Sequence, residues 1–273
     1  MRSKGFGPAI QKRLWVGVLL VTALIFLLSA VAYLRPAQKA ELPKLGLMTT
    51  LPLEWSEGGI EAAADADAAA HPAYARLTAA YQVVPLDNLD QIDGLSLVLL
   101  AQPRALAPEE LVRLDVWVRR GGRLLILADP ALQWGSLYPL GDKRRPLFTS
   151  MLSPLFSHWG VELVLPTDKA EPVSVRDIGG MSIRTVTLGE WRMKPGAAAS
   201  LCRIASNAIY ADCAVGNGRA LLVADADLLD TPFWVGRGAR MLTGSDESGN
   251  MEWIERMLLT LRVNNVAGDI VGK

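Results

Sequence analysis

The chain has 273 residues with 28 basic and 28 acidic side chains, so its formal charge is zero and no global field draws nucleic acid or an acidic partner. This length is enough to bury one sizeable core or two lobes. Hydrophobic residues make up 51%, and one segment near the start accounts for much of that share.

That segment is Leu14–Leu34, LWVGVLLVTALIFLLSAVAYL, which carries no charge. It reaches the roughly 20 apolar residues that a bilayer-spanning helix needs. Arg2, Lys4, Lys12 and Arg13 precede it and Arg35, Lys39 and Lys44 follow, a weak positive-inside bias toward an internal N-terminus. Trp15 and Tyr33 sit near the two ends, where amphipathic rings prefer the membrane interface. A cleaved signal peptide ending at Ala30-Val31-Ala32 is the rival, but the apolar run exceeds a usual h-region. The expected layout is a cytoplasmic tail over 1–13, a transmembrane helix over 14–34 and a linker over 35–44. An extracytoplasmic α/β domain follows over 45–273, with a β-rich insertion at 166–216. The protein is thus expected in the inner (plasma) membrane, single-pass, with its C-terminal body outside the cytoplasm.

After the linker, Leu45–Thr50 is a candidate strand, followed by the turn-rich LPLEWSEGG. Glu61–Ala70 is alanine-rich, His71-Pro72 interrupts it, and Ala73–Tyr81 continues as helix. Gln82–Leu86 reads as a second strand and Asp87–Gly94 as a connection. Leu95–Ala101 is an apolar run unbroken by charge, of the kind buried on both faces of a sheet. Gln102, Pro103 and Arg104 end it. Pro108 suits a first helical position, Glu109 and Glu110 complement the helix dipole, and Leu111, Leu114 and Val118 recur at helical spacing. Gly121-Gly122 stops that helix, and Arg123–Ala128 opens another apolar strand before Asp129-Pro130. Strand, helix, strand in so short a span is a βαβ crossover and predicts a mainly parallel sheet.

Ala131–Thr149 is a long connection containing the basic cluster Lys143-Arg144-Arg145, read as a solvated face before a binding site. Pro146–Trp159 is expected as helix with Gly160 as its stop, then Val161–Leu165 as strand. Lys169–Pro195 alternates polar and β-branched residues, which suits exposed antiparallel strands. Cys202 and Cys213 lie in two short β-prone runs, Leu201–Ala205 and Ile209–Ala214. A hairpin would set them opposite each other, at the wider kind of site with a two-residue turn and the narrower kind with a four-residue loop. In an oxidising compartment a disulfide is possible, with two buried free thiols as the alternative. Gly218–Asp225 returns to the buried-strand type. Ser248 or Asn250 can cap a last helix whose stripe is Met251, Ile254, Leu258 and Leu261.

Tests for catalysis fail. Gly180-Met181-Ser182 lacks the second glycine of a nucleophile elbow. Gly216-Asn217-Gly218 leads into a strand and so presents no helix N–H groups to a phosphate. There is no Walker A sequence and no metal-ligand spacing around the two cysteines, and His71 and His158 are far apart. No catalytic residue, metal or cofactor is expected. The candidate binding set is Gln102, Arg104, Asp129, Asp225 and Asp227, all assigned to the carboxyl edge of the sheet, where ligands bind in open α/β folds. The plainer account has the aspartates capping following helices and Arg104 pairing with one of them.

LMTTLPLEW, the block QPRALAPEEL with GGRLLILADP, LFSHWGVEL, GRALLVADADLLD and SGNMEWIERMLLTL occur in an order that resembles one family. It is the ABC-type uncharacterised transport system domain, the auxiliary G component of gliding-motility-type ABC exporters. The resemblance implies a Rossmann/flavodoxin-like, class I amidotransferase-like α/β body with an added β-hairpin region, tethered by one transmembrane helix. It implies work beside an ABC-2-type permease and its ATPase, with contact to the permease or to a saccharide or lipid-linked substrate, and no nucleic acid. The departures are Ala107, where Ser or Thr commonly caps the helix, and Val263–Lys273, which cannot supply the second transmembrane helix of some members. Cys202 and Cys213 do not sit on a strand-to-helix turn as a nucleophile would. An extracytoplasmic hydrolase or amidotransferase-like enzyme, or a solute-binding module, is the alternative.

Overall fold

The computed structural model describes residues 21–22, 24–26, 41–54, 57, 70–166, 173–196, 201–234 and 248–263. It divides into two units, Met1–Glu41 and Leu42–Lys273. In the first, Val21, Thr22, Leu24, Ile25 and Phe26 are helical and exposed. The rest of the apolar Leu14–Leu34 stretch lies outside the described residues, among which no helix is long and apolar enough to cross a membrane.

The second unit is built on a seven-stranded, mainly parallel sheet. Its strands are β1 (Lys44–Thr49), β2 (Gln82–Pro85), β3 (Leu97–Ala101), β4 (Arg123–Leu127), β9 (Cys202–Ile204), β10 (Tyr210–Val215) and β11 (Gly218–Val223), in the order β2-β1-β3-β4-β11-β10-β9. Pairing is parallel from β2 across to β11, and antiparallel for β10 and β9. The remaining strands form two small antiparallel ladders: β5 (Val161–Val164) with β8 (Glu190–Met193), and β6 (Val173–Ile178) with β7 (Met181–Val186). Within 166–216, therefore, β9 and β10 extend the central sheet while β6 to β8 stand apart from it.

The apolar strands have no polar face because helices cover both sides. Leu97, Leu99, Leu125, Leu127, Leu221 and Val223 point into one core, with Leu77 of α1 (Pro72–Ala80) and with Met251, Ile254, Leu258 and Leu261 of α4 (Asn250–Arg262). Val98, Leu100, Leu124, Ile126 and Leu222 point into the other, with Leu114 and Trp117 of α2 (Pro108–Arg119) and Leu155 of α3 (Ser153–His158). Successive strand residues alternate between the two layers as the pleat requires. Each fully buried Leu contributes about 1.5–3 kcal/mol, and truncating a central one to Ala is expected to cost about 2–5 kcal/mol.

Two local expectations change. The helix expected over Pro146–Trp159 begins only at Ser153. Upstream, the backbone bonds to the sheet edge instead of to itself: the Ser150 N–H donates to the Asp129 carbonyl at 2.7 Å, and the Leu147 carbonyl accepts from Gln102 Nε2 at 2.8 Å. The last helix is capped by Gly249, at φ 77°, and by neither Ser248 nor Asn250. Asn250 is instead a buried cross-link, accepting from the Arg184 N–H and donating to the Arg184 and Leu228 carbonyls. Val161–Val164 pairs with β8 outside the central sheet.

The Ala107 departure is partly made good. Its N–H donates to the Glu110 carboxylate at 3.0 Å, the half of a capping box that needs no side chain at the cap. At β9–β10, Cys202 faces Cys213 and the two are joined as a disulfide. Ala205 N–H donates to the Tyr210 carbonyl and closes the four-residue loop Ser206–Ile209, so the cysteines occupy the narrower kind of pair, with Cα atoms 3.8 Å apart.

Candidate functional site

β4 and β11 are neighbours in the sheet, with Leu127 paired to Val223. Parallel pairing makes both strands run out at one edge, so the residues just beyond them, Asp129 and Asp225, meet there. Asp227 opens the 3-10 turn Asp227–Leu229 that follows. The three carboxylates offer oxygens that all lie within 4.8 Å of one another. Asp129 and Asp225 are fully buried and Asp227 is 1% exposed.

The donors these carboxylates receive are backbone N–H groups. Asp129 Oδ1 accepts from Ala131 at 2.7 Å and Oδ2 from Ala226 at 3.1 Å. Asp225 Oδ1 accepts from Leu228 at 3.1 Å, and Oδ2 from Val186 at a long 3.4 Å. Asp227 Oδ2 accepts from Gln133 at 2.8 Å, while its Oδ1 is buried with no hydrogen-bond partner. These donors come from three places: the loop after β4, the end of β7 and the turn after β11.

No cationic side chain offsets the charge among the described residues, and the protonation behaviour follows. Burial pushes Asp129 up to about 6, against the pull of its backbone donors. Burial, then the charge of Asp129, pushes Asp227 up to about 8. Burial followed by the charges of Asp129 and Asp227 raises Asp225 well above the carboxylate range. Asp230, only partly buried, is raised by burial to about 6 and adds its charge to the potential at Asp227.

Gln102 joins this cluster as a neutral brace. It is fully buried and sits at φ 41°, a left-handed conformation that non-glycine residues rarely adopt. Its Oε1 accepts from the Asp129 N–H at 2.9 Å and its Nε2 donates to the Leu147 carbonyl. Its own carbonyl accepts from Thr50 Oγ1 at 2.6 Å. Arg104 goes elsewhere. Its guanidinium forks onto Glu110 at 2.6 and 2.8 Å and donates to the Asp87 carbonyl at 2.7 and 3.0 Å. Arg104 thus clamps the loop after β2 to the start of α2, and its ion-pair partner is Glu110, not an aspartate of the cluster. The helix-cap account holds in part, since Asp225 caps the short turn through Leu228 and Asp129 closes an Asx turn at Ala131.

The two histidines are structural. His71 is the N-cap of α1, accepting from the Ala73 N–H through Nδ1, and packs on Trp134 at 5.3 Å between ring centres. Burial lowers it to about 4. His158 ends α3 beside Asp115 and Arg119. In the basic cluster, Arg144 pairs with Asp142 and lies over the Tyr138 ring, and Arg145 donates to the Tyr138 carbonyl. The residues that sequence reasoning missed are Gln133 and Val186, which act through backbone N–H groups, and Asn250. No pattern marks a backbone donor, whereas an Asn just inside a helix start carries some signal.

No curated protein matches this chain. Among solved structures, an exo-β-1,4-mannosidase from Opitutaceae bacterium strain TAV5 is 13% identical, covering 80% of this chain and 36% of the enzyme at a TM-score of 0.44. A β-galactosidase from Rahnella sp. R3 is 16% identical, covering 84% and 33% at 0.40. A catalytic mutant of Gan42B, a GH42 β-galactosidase from G. stearothermophilus, is 12% identical, covering 83% and 31% at 0.41. The chain spans about a third of the length of these enzymes, and likeness at this level carries no argument about activity. The family described as ABC-type uncharacterized transport system matches residues 42–173, which hold β1 to β5, Gln102, Arg104 and Asp129. This match spans just under half of the chain.

Proposed function

We propose that this protein is a non-enzymatic accessory subunit of an ABC-2-type transporter, anchored in the inner membrane by Leu14–Leu34 with its α/β body on the extracytoplasmic side. The family match over residues 42–173 carries the reading. The strand order β2-β1-β3-β4-β11 agrees with it, being the flavodoxin-like doubly wound order that the resemblance implies. The cystine agrees with an oxidising compartment.

On this reading the buried carboxylates stabilise the body, and the partner meets the segment that covers them. Residues 131–152 expose Leu137, Leu140, Phe148 and Met151 at 50 to 82%, an apolar display beside Arg144. A polytopic permease is the partner such a display suits, with a saccharide or lipid-linked substrate passing alongside. The hydrolase alternative would require substrate to reach Asp225 and Asp227, which are at most 1% exposed and fastened by backbone donors.

The test is recovery of partners. Affinity purification of the full chain from mildly crosslinked membranes is expected to bring down a permease and an ATPase, with Leu140→Glu weakening recovery. The chain recovered alone would overturn the proposal. A reporter fused after Lys273 is expected to face the extracytoplasmic side, and a cytoplasmic reporter would refute the topology.

A further inference from the structure

We propose that Asp129, Asp225 and Asp227 bind a hard divalent cation of the Ca2+ or Mn2+ type, which ties the segment after β4 and the end of β7 to the sheet. The inference is independent of the transporter reading. Three buried carboxylates converge with oxygens within 4.8 Å of one another. That spacing lets all three reach one ion at about 2.3–2.6 Å, the range for Ca2+ to oxygen.

A cluster of acids alone would say little; the second observation is Asp227 Oδ1. It is buried, without a hydrogen-bond partner, on a side chain that is 1% exposed. Asp227 is held through Oδ2 by the Gln133 N–H, yet Oδ1 has no partner by distance, and Asp225 Oδ2 has only a 3.4 Å contact. Leaving a buried carboxylate oxygen unpaired costs free energy, and a cation relieves the cost for all three groups at once. The donor set contains only carboxylate oxygens, which selects hard cations and disfavours the softer metals that prefer His or Cys.

The three carboxylates and the N–H donors that hold them span the architecture. Asp129 and Gln133 belong to the segment after β4, the Val186 N–H belongs to the end of β7, and Asp225 and Asp227 follow β11. An ion here would therefore lock the covering segment and the β6–β7 hairpin onto the central sheet. Asp230, half-buried beside the cluster, adds its negative charge to the potential at Asp227.

The experiment uses the purified full chain, stripped with chelator and titrated separately with Ca2+, Mn2+ and Mg2+. Saturable binding of one Mn2+ per chain by electron paramagnetic resonance, competed by Ca2+, is expected, together with a rise of several degrees in the unfolding midpoint. Asp227→Asn keeps the side-chain size, and is expected to weaken binding by roughly tenfold or more. Exposed Asp142→Asn is the control and should leave affinity unchanged. Should Asp227→Asn fail to fold, Tb3+ luminescence serves the same end. Emission sensitised by Trp134, whose backbone adjoins Asp227, should drop in Trp134→Phe while Mn2+ affinity is retained. No saturable binding of any of the three cations, or binding unchanged in Asp227→Asn, would overturn the site and assign the cluster to shared protons.

Discussion

Two groups of carboxylates lie at the same edge of this sheet and behave in opposite ways. Beyond β3, Glu110 faces the fork of Arg104, which holds it down at about 2. Beyond β4 and β11, Asp129, Asp225 and Asp227 face each other and backbone N–H groups, and all three are raised. The difference is one of compensation. The partly exposed Glu110 has its countercharge in the side chain six residues before it, while the buried trio has none. Folding tolerates the trio only by keeping it protonated, or by admitting an external cation.

The largest effect is expected at the brace between the two. Gln102→Ala should remove the acceptor for the buried Asp129 N–H and the donor to Leu147, destabilising the fold by about 3 kcal/mol in urea titration. An effect below about 1 kcal/mol would mean that water or the segment itself replaces the amide.

Next comes charge. Without divalent cations, stability should fall as pH rises from about 4 toward 8. The unfolded aspartates lose protons near their ordinary values, whereas the folded ones hold theirs up to about 6 at Asp129 and about 8 at Asp227. The native state thus binds more protons in this window, which gives the negative slope. Asp227→Asn should flatten that slope and stabilise the cation-free protein at pH 8 by on the order of 2 kcal/mol. Thermal unfolding at several pH values, with chelator present, checks both statements; a slope unchanged in the variant would remove Asp227 from the account.

The smallest effect belongs to the partly exposed Arg104–Glu110 pair. Arg104 is 40% exposed on its side chain, so solvent screening limits the pair, and Arg104→Ala should cost under about 1 kcal/mol at pH 7. Its pH dependence has the reverse sign. The contribution is present above the ordinary glutamate range and is lost as pH falls toward about 2. Comparing Arg104→Ala with the parent chain across acidic pH isolates it.

Much of the parallel half of the sheet was legible because Leu97–Ala101 and Leu124–Ala128 are wholly apolar, as strands buried on both faces are. The convergence of Asp129 with Asp225 and Asp227 was legible at the level of one sheet edge, since each follows a buried strand. Its closeness was not. That depends on β11 lying directly beside β4, which no local pattern encodes. The Gln133 and Val186 donors stand 94 and 39 residues from the aspartates they serve, and any residue type except proline offers an N–H. The helix expected over Pro146–Trp159 failed for a related reason. Local periodicity there was outweighed by bonds to Asp129 and Gln102 across the edge.

The seat of β11 has a bearing on how the chain folds. Its residues 219–223 zip against residues 123–127 of β4, so the midline of the sheet waits for nearly a hundred residues of intervening polypeptide. Closing so long a loop comes before the contacts that reward it, which slows folding in proteins rich in remote pairings. Until β11 arrives, the inner edge of β4 is an open template for wrong partners. A nascent chain emerging from the ribosome would carry that exposed edge through the synthesis of β5 to β10.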